Sequence, residues 1–564
     1  MENLDMTLDF DLVFFLIIAV IALTLLGFVI SLIQKQYKSW QRRKYCAAWR
    51  FDPERVFISS SRLSHIRDYW EAREPLIDRQ HRIDAITWDD LDMDDVFRRM
   101  DACRSSAGEE VLYARLHETG PDETRQRRFL DAVAYFDGEE AVRRSVWCQL
   151  DEIGRKTPHL SSGLLFGRME GLQINRLFYA LLGILPIALL IANALYPGAF
   201  IYAIPAVALN LIVGSRNRHK LLVYTDTIGY LMRCLKTARK LHSFPHGDYG
   251  RRLSAATRQV GKIRLPAFLA TDHGEGLLSF FMEMLKGLFL LDYICFGYLL
   301  RFFDQNRAAF REIYEIIGEL DMAIAVGAFR ETLPRYAEPE FVGGRDASFE
   351  GLYHPLLAHP VDNDLAWTKN CIITGSNASG KSTFIKATAI SLITAQTVGL
   401  VFARSYRGGH FLVMTSMAIR DSVISGDSYF ITELKCLGRI LDMVGDGLPV
   451  ACFVDEILRG TNTQERISAA ASVLDWLARE NCRVMVASHD IELTEILGRV
   501  YDNCHFREQV AGDEMYFDYR LYPGPTNTKN AIRLMAGLDF DPVIIREAAH
   551  ISDTFEKDRA WPVL

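Results

Sequence analysis

The chain has 564 residues, of which 49% are hydrophobic and 24% charged, and its formal net charge at pH 7 is -7. This length predicts about two to four domains, and the acidic balance excludes a global positive field that would draw the protein to nucleic acid or to anionic lipid. Any contact with DNA must therefore use a local basic surface. The ten cysteines form no C-x-x-C pair, so no zinc site is predicted.

The first 34 residues, 1–34, are dominated by one apolar run. Leu12 to Ile33 is a stretch of 22 residues without a charge, which is long enough for a helix that crosses a bilayer. A cleaved signal peptide is the alternative, but it would need a basic segment before the run, and residues 1–11 contain no Lys or Arg. Basic residues follow the run, so the positive-inside rule predicts an external N-terminus and a cytoplasmic chain from residue 35 onward.

Residues 35–175 are predicted to form a helical cytoplasmic region, and a second apolar zone follows it. Leu177 to Val213 contains 37 residues without a charge, and Pro197-Gly198 breaks this zone near its middle. Two helices of about membrane length, joined by a tight turn, would form a transmembrane hairpin over residues 176–214. The alternative is a buried helical pair in a soluble core. With three crossings, the chain is predicted to be a multi-pass protein of the inner or plasma membrane.

Residues 215–340 are predicted to be helical and to act as a lever. Phe280 to Phe303 is apolar, but four charged residues interrupt it, so we expect a buried helix there and not a fourth crossing. Leu277 to Ala328 is predicted to be one extended helix. Two prolines then mark a linker into the final domain, residues 341–564.

The final domain begins with a phosphate-loop motif. Residues 375–383 read GSNASGKST, a full match to G-x-x-x-x-G-K-[ST], between an apolar strand pattern and a helix pattern. Backbone N–H groups of such a turn converge on an anion, Lys381 adds a charge on the β- and γ-phosphates, and Ser382 places a hydroxyl on Mg²⁺. The predicted ATP-binding residues of the loop are Gly375, Ser376, Asn377, Ala378, Ser379, Gly380, Lys381, Ser382 and Thr383.

Two further strand patterns end in residues that suit phosphate chemistry. VACFVDE ends in Asp455 and Glu456. We expect Asp455 to hold Mg²⁺, directly or through water, and Glu456 to orient or deprotonate the attacking water. A helix-capping acidic pair is the structural alternative. RVMVASHD brings His489 to the end of the next strand, where it can reach the γ-phosphate, although a lone histidine also occurs as a structural residue.

These blocks together resemble the ATPase domain of the MutS mismatch-repair family, within the ABC-type ATPase superfamily. The matching text is TGSNASGKSTFIKATAISLITAQTVG, SVISGDSYFITEL, VDEILRGTNTQE and ASHDIELTEI, in that order. The resemblance covers residues 345–550, with a weaker similarity over 85–150 and 300–345, where the family has its helical core and lever. It implies an α/β P-loop ATPase domain of the ABC type at the C-terminus, preceded by an all-α region, here with three transmembrane helices.

The resemblance also implies a homodimer in which each ATPase domain completes the site of the other. Ser428 matches the stretch that reaches across to the partner's γ-phosphate, and Tyr519 falls where the family places a ring near the adenine. The tail resembles the family's C-terminal helices that contribute to dimer contact. The sequence departs from the family pattern, because it shows no N-terminal mismatch-reading domain and no Phe-x-Glu wedge in a plausible place.

The leading hypothesis is a membrane-anchored, MutS-like ATPase that binds and hydrolyses ATP with Mg²⁺ at a composite dimer interface. The hydrolysis would move the helical lever, with the lipid bilayer as one partner and double-stranded DNA as a candidate ligand. One alternative is a transporter-like or membrane-remodelling ATPase without DNA binding. Another is a DNA clamp without mismatch selectivity, which would use a basic cluster near helical spacing. That cluster consists of Arg233, Lys236, Arg239 and Lys240.

Overall fold

The structure is a computed structural model, and it describes seventeen stretches of the chain. These are residues 33–34, 36–37, 40–41, 44, 59–155, 161–167, 175–216, 218–261, 287–376, 379–417, 429–445, 447–511, 514–525, 532, 535, 540–558 and 561–563. Within them, a helical body is followed by a domain of mixed helices and strands.

The helical body contains the first thirteen helices of the described part of the chain from residue 59 onward. They are α1 (Ser60–Arg73), α2 (Ala85–Asp90), α3 (Met93–Met100), α4 (Ser106–His117), α5 (Glu123–Gly138), α6 (Glu140–Ile153), α7 (Ser161–Phe166), α8 (Arg176–Ala192), α9 (Ala203–Arg216), α10 (Arg218–Leu241), α11 (Tyr249–Val260), α12 (Leu291–Gln305) and α13 (Arg307–Thr332).

The centre of the helical body is α13, which is buried almost continuously over its second half. Its Asp321 lies against the first turn of α4 and accepts hydrogen bonds from the backbone N–H of Arg104, at 3.0 Å, and of Ser105, at 2.7 Å. The Ser105 hydroxyl donates to the same carboxylate at 2.6 Å. A carboxylate is favoured at a helix N-terminus because the N–H groups there carry partial positive charge. This contact fixes the register between the two helices.

The extended helix predicted over Leu277 to Ala328 is broken in the structure. Asn306 ends α12 because its side-chain amide donates to the Phe302 carbonyl at 2.9 Å, which satisfies an acceptor that the last turn leaves open. A new helix, α13, begins at Arg307. Residues 277–286 lie outside the described part of the chain.

The C-terminal domain has two sheets and five described helices. The strands are β1 (Glu340–Phe341), β2 (Ala347–Leu352), β3 (Asn363–Trp367), β4 (Asn370–Thr374), β5 (Ser405–Gly408), β6 (Leu412–Ser416), β7 (Val450–Asp455), β8 (Cys482–Ala487), β9 (Tyr501–Ala511) and β10 (Glu514–Pro523). The helices are α14 (Lys381–Val398), α15 (Tyr429–Leu441), α16 (Thr463–Arg479), α17 (Ile491–Ile496) and α18 (Pro542–Asp558).

The larger sheet has the strand order β10-β9-β4-β8-β7-β6, and all of its neighbours are parallel except β10 with β9. Every residue of β4, β6 and β8 is buried, as expected for parallel strands covered on both faces. Because β4, β7 and β8 run in the same direction, the residues that follow them meet at one edge of the sheet. The smaller sheet has the order β1-β5-β2-β3.

The helix α14 lies between this sheet and the helical body, and the body satisfies its C-terminal carbonyls. Arg115 of α4 donates to the Thr397 carbonyl at 2.7 Å, and Gln126 of α5 donates to the Ala395 carbonyl, also at 2.7 Å. The last carbonyls of a helix have no intrahelical N–H partner, so these side chains act as a cap. The helix that follows the phosphate loop is therefore anchored at its far end by the helical body.

A second contact between the two parts is made by α2. The buried Asp90 accepts hydrogen bonds from the Thr415 hydroxyl at 2.7 Å and from the Met417 N–H at 3.0 Å, at the end of β6. Asp84, which caps α2, forms an ion pair with Arg439 of α15. The short helix α2 thus touches the strand before residues 418–428 and the helix after them.

The prediction of three transmembrane helices is wrong. Among the residues that the structure describes, no helix is both long and apolar enough to cross a membrane. The helix α8 has 17 residues and contains Pro186, and α9 has 14; at a rise of about 1.5 Å per residue these lengths are about 26 and 21 Å, below the roughly 30 Å of a hydrocarbon core. The sequence prediction placed only a tight turn between the two helices, whereas the structure has turn residues over 193–198 and a 3-10 helix over Ala199–Tyr202. Leu12 to Leu32, nearly all of the first predicted span, lies outside the described residues.

The membrane part of the predicted fold class and the predicted inner- or plasma-membrane location with an external N-terminus are therefore also wrong. The predicted lipid partner and the membrane-remodelling alternative receive no support. The predicted domain boundaries are untested and stay predictions.

The pair α8 and α9 is fixed to α12 by polar contacts. The ring of Tyr293 in α12 stacks on Tyr179 of α8 at 4.5 Å, and its hydroxyl donates to the Gly214 carbonyl of α9 at 2.8 Å. Asn210, which is buried, donates to the Leu182 carbonyl at 3.0 Å. The opposite faces leave large apolar side chains exposed, among them Leu177, Leu181, Ile184, Leu190, Ile204 and Ile212.

Candidate nucleotide site

The phosphate-loop motif forms a turn between β4 and α14. Gly375 has φ 146° and Gly380 has φ 106°, both in the region that side chains disfavour. A Cβ atom at Gly375 would lie 2.8 Å from the Phe506 carbonyl oxygen, so a larger residue would also collide with β9. The turn therefore requires glycine at both positions. Asn377 and Ala378 lie outside the described residues, while Ser376, Ser379 and Thr383 occupy the described part of the turn and the start of α14.

The loop lysine is held in the centre of this turn. Lys381 is 4% exposed, and its ammonium group donates to the carbonyls of Gly375 and Ser376, each at 2.8 Å. The same nitrogen lies 3.4 Å from Nε2 of His489, at the end of β8. The positive charge is thereby fixed between the loop and the neighbouring strand, at the place where a phosphate group would lie.

The residues predicted to hold a metal ion are adjacent. The Ser382 hydroxyl donates to Oδ2 of Asp455 at 2.6 Å. The other carboxylate oxygen, Oδ1, is buried and has no hydrogen-bond partner among the residues the structure describes. A buried carboxylate oxygen without a donor beside a hydroxyl suits a hard cation, which prefers oxygen ligands. The two residues therefore fit Mg²⁺.

Glu456 and His489 also come together. Oε1 of Glu456 lies 2.9 Å from Nε2 of His489, and Oε2 lies 2.5 Å from Nε of Arg459. Burial alone would raise the pKa of Glu456, but the contact with His489 and the charges of Arg459 and Lys381 outweigh it and lower that pKa below its ordinary value. The carboxylate is thus ionised at neutral pH and able to accept a proton. The backbone of Glu456 has φ 55°, which is uncommon for a residue other than glycine.

A cavity of about 490 Å³ opens from this cluster. Its lining includes Lys381, Ser382 and Glu456 of the cluster. Aromatic and apolar residues line it as well, among them Leu352, Tyr353, Leu357, Phe506 and Tyr519. Charged groups for phosphates and apolar groups for a base are the two kinds of lining that a nucleotide requires.

Tyr519 lines the apolar part of the cavity, where its ring approaches the phosphate loop. A Cβ atom at Gly380 would lie 3.2 Å from Cδ1 of Tyr519. The residue has φ 53° and sits in an irregularity of the β9–β10 ladder between Phe517 and Leu521. Its placement suits contact with a base, which is the role predicted for it.

Asn363 holds that irregular backbone, and sequence reasoning missed it. Its amide donates to the Tyr519 carbonyl at 3.0 Å and accepts from the Leu521 N–H at 2.7 Å. The side chain thus provides a hydrogen-bond partner for two main-chain groups of the irregular stretch. Asn363 is 156 residues before Tyr519 in the chain, and no local pattern marks it.

His354 is a second missed residue of the cavity wall. Burial lowers its pKa to about 4, so the ring is neutral at pH 7.

Ser428, the residue predicted to act on a partner's phosphate, lies outside the described residues, and α15 begins at the next residue, Tyr429. Its role stays a prediction.

Four features define a P-loop nucleotide-binding domain: parallel strands with a glycine-rich turn, a buried lysine, a serine–aspartate pair, and a carboxylate at the end of another parallel strand of the same sheet. Residues 371–556 match the family model described as MutS domain V. This part of the chain is homologous to MutS proteins and carries the domain that the family model describes.

Similar proteins carry MutS names. The chain is 30% identical over 254 residues to the DNA mismatch repair protein MutS of Pseudothermotoga lettingae, an alignment that covers 43% of this chain and 31% of that protein. It is 27% identical over 289 residues to the human MutS protein homolog 4, covering 48% of this chain and 30% of the relative. The chain thus spans about a third of the length of the curated relatives it matches.

Proposed function

We propose that this chain is a MutS-type ATPase, which binds ATP with Mg²⁺ in the cavity beside α14 and hydrolyses it at an interface between two copies of the chain. The observation that carries the proposal is the convergence of Lys381, the pair Ser382–Asp455 and the pair Glu456–His489 at one edge of the sheet. Lys381, Ser382 and Glu456 line a single cavity, and all five residues lie within the stretch that resembles domain V.

Each residue has a separate task in this mechanism. Lys381 holds the β- and γ-phosphate oxygens, and the N–H groups at the start of α14 share the negative charge. Ser382 and Asp455 would hold Mg²⁺, which when bound neutralises charge on the phosphates. Glu456 orients a water molecule and takes its proton, and His489 keeps the carboxylate ionised and directed toward the phosphate end.

The first test is ATP binding and hydrolysis by the purified chain and by Lys381→Ala. Removing the ammonium group takes away the buried charge that holds the phosphates, so we expect the affinity for ATP to fall by about 100-fold. Titration with a fluorescent ATP analogue measures the affinity, and phosphate release measures the rate.

Lys386, which lies in the same helix and pairs with Asp92, provides the matched control. Lys386→Ala should bind ATP within about 3-fold of the unmodified chain, since its contact is a half-exposed ion pair. Equal affinity of the unmodified chain and Lys381→Ala would remove the proposed phosphate site.

DNA binding is a second proposal, and the names of the relatives support it. The basic cluster predicted to contact DNA is partly neutralised within the chain, because Lys236 and Lys240 both lie within ion-pair distance of Glu152, at 3.5 and 2.9 Å. If the cluster binds duplex phosphates, Glu152→Gln should strengthen binding by releasing both lysines.

A gel shift with plain and mismatched duplex at low and moderate salt measures this effect. We expect Glu152→Gln to bind about 3-fold more tightly at low salt, with a steeper salt dependence. Absence of any shift at low salt, for either protein, would remove DNA as a ligand of this chain.

A further inference from the structure

The first turns of α15 face the loop that carries Glu456. Phe430 packs so closely on Gly460 that a Cβ atom at Gly460 would lie 2.8 Å from Cβ of Phe430. One turn further along α15, Glu433 is 3% exposed. Its carboxylate accepts hydrogen bonds from the backbone N–H groups of Leu458 and of Arg459, the latter at 3.3 Å. A buried carboxylate thus binds the main chain two residues after the predicted base.

The loop that Glu433 binds has an unfavourable backbone conformation. Glu456 has φ 55° and Leu458 has φ 59°, so two residues with side chains adopt the left-handed region within three positions. Such conformations cost free energy and persist only where the surroundings impose them. Two contacts restrain Leu458 in this conformation: its side chain is buried, and its backbone N–H donates to Glu433.

The helix α15 connects the loop of Glu456 to two other parts of the protein. The helix begins at Tyr429, directly after Ser428, the residue predicted to act on the nucleotide of the partner subunit. Its other end is joined to the helical body, because Arg439 pairs with Asp84. A shift of α15 would therefore be transmitted through Glu433 to the loop of Glu456.

We propose that Glu433 is a positioning residue for ATP hydrolysis, which holds the loop backbone so that Glu456 faces the phosphate end of the cavity, and which ties that loop to α15. The inference rests on the proposed ATPase function. Glu433 acts on the reaction only through Glu456. That property separates it from a residue that merely stabilises the fold, whose loss would affect any remaining reaction equally.

A double-mutant cycle with Glu456→Gln tests the inference on the full chain. Glu433→Ala removes the acceptor from both N–H groups, so kcat should fall by about 30-fold, while the affinity for ATP changes by less than about 3-fold. In the Glu456→Gln background the same substitution should change the residual rate by less than about 3-fold, because the base it positions is already absent.

Glu433→Asp covers the case in which the alanine variant does not fold. It keeps the buried charge but withdraws the acceptor by about one methylene, so we expect kcat to fall by about 10-fold with the same loss of effect in the Glu456→Gln background. Glu495→Ala, an exposed substitution on α17, is the control and should leave kcat unchanged. Thermal melting verifies that each variant is folded.

Two results would overturn the inference. The first is an unchanged kcat in Glu433→Ala or Glu433→Asp. The second is the same fold-loss with and without Glu456, which would mean that Glu433 supports the domain as a whole. If the unmodified chain hydrolyses no ATP, the proposed function fails and this inference fails with it. If the unmodified chain hydrolyses ATP and the Glu433 variants have the same kcat, the inference fails but the proposed function stands.

Discussion

Glu456→Gln should lower the rate of ATP hydrolysis by at least about 100-fold, or roughly 3 kcal/mol of barrier, while ATP still binds. The amide keeps the size of the side chain and its contact with His489, but it cannot take a proton from water. The carboxylate that it replaces has a lowered pKa, so at neutral pH the unmodified residue is in the form that accepts a proton. Since Lys381 and Ser382 are untouched, the phosphate contacts remain.

Steady-state phosphate release and equilibrium binding of a fluorescent ATP analogue separate these two effects. The affinity of Glu456→Gln for ATP should lie within about 3-fold of that of the unmodified chain, because its substitution removes an interaction made with the attacking water and not with the phosphates. Glu495→Gln, which changes an exposed carboxylate outside the site, should have the unmodified rate. A Glu456→Gln variant that hydrolyses ATP at the unmodified rate would show that another group is the base.

The site residues that the sequence alone predicted all belong to short, continuous sequence motifs. Lys381 and Ser382 stand within a single nine-residue motif, and Asp455 and Glu456 follow a run of apolar residues that marks a buried strand. Parallel strands then bring their C-terminal ends to one edge of the sheet, so the order of the motifs fixes their meeting point. His489 was found in the same way, from the end of the next strand.

The residues that sequence missed act across long separations. Asn363 holds Tyr519 over 156 positions, and Glu433 binds the backbone of Leu458 over 25 positions. Both side chains bind main-chain groups, which carry no residue identity in the sequence. From the local sequence, a polar residue in a strand or a helix is predicted to lie at the surface. Only the packed structure shows that Glu433 is buried.

The error in the membrane prediction has a similar origin. Hydropathy over Leu177 to Val213 is continuous, but the α-helix is not. The helix of 17 residues and the helix of 14 residues are separated by turn residues and a short 3-10 helix, which are mostly apolar as well. Apolar composition measures the tendency to leave water, and it does not measure the length of a helix. The break at Asn306 shows the same difference, since one amide ends a helix that hydropathy extends.

The contacts between the helical body and the nucleotide domain suggest how the site and the body influence each other. Arg115 caps the C-terminal end of α14, whose first residues are predicted to hold the phosphates, and Asp90 binds the end of β6. The helix α2 touches both β6 and α15, the elements on either side of residues 418–428 in the chain. Nucleotide-dependent movement of α14 or α15 would therefore reach the helical body through buried side chains, and not through solvent.

Two inactive variants of this chain should restore hydrolysis when they are mixed. Lys381→Ala lacks the phosphate site of its own subunit but still carries Ser428, while Ser428→Ala keeps the phosphate site and lacks the group offered to the partner. In a mixed dimer, the phosphate site of the Ser428→Ala subunit meets an intact Ser428 from its partner. Half of the dimers are mixed and each has one complete site of two, so the mixture should recover about a quarter of the unmodified activity.

The matched control is a mixture of the double variant Lys381→Ala, Ser428→Ala with Ser428→Ala, in which no dimer contains a complete site. That mixture should stay as inactive as either variant alone, whereas a general effect of protein concentration would activate both mixtures equally. Phosphate release at increasing total protein concentration follows the recovery, and subunit exchange is verified with two differently sized tags. Full activity of Ser428→Ala on its own would mean that Ser428 does not act on the nucleotide. No recovery once exchange has been demonstrated would mean that each subunit completes its own site and that ATP is not shared between two copies.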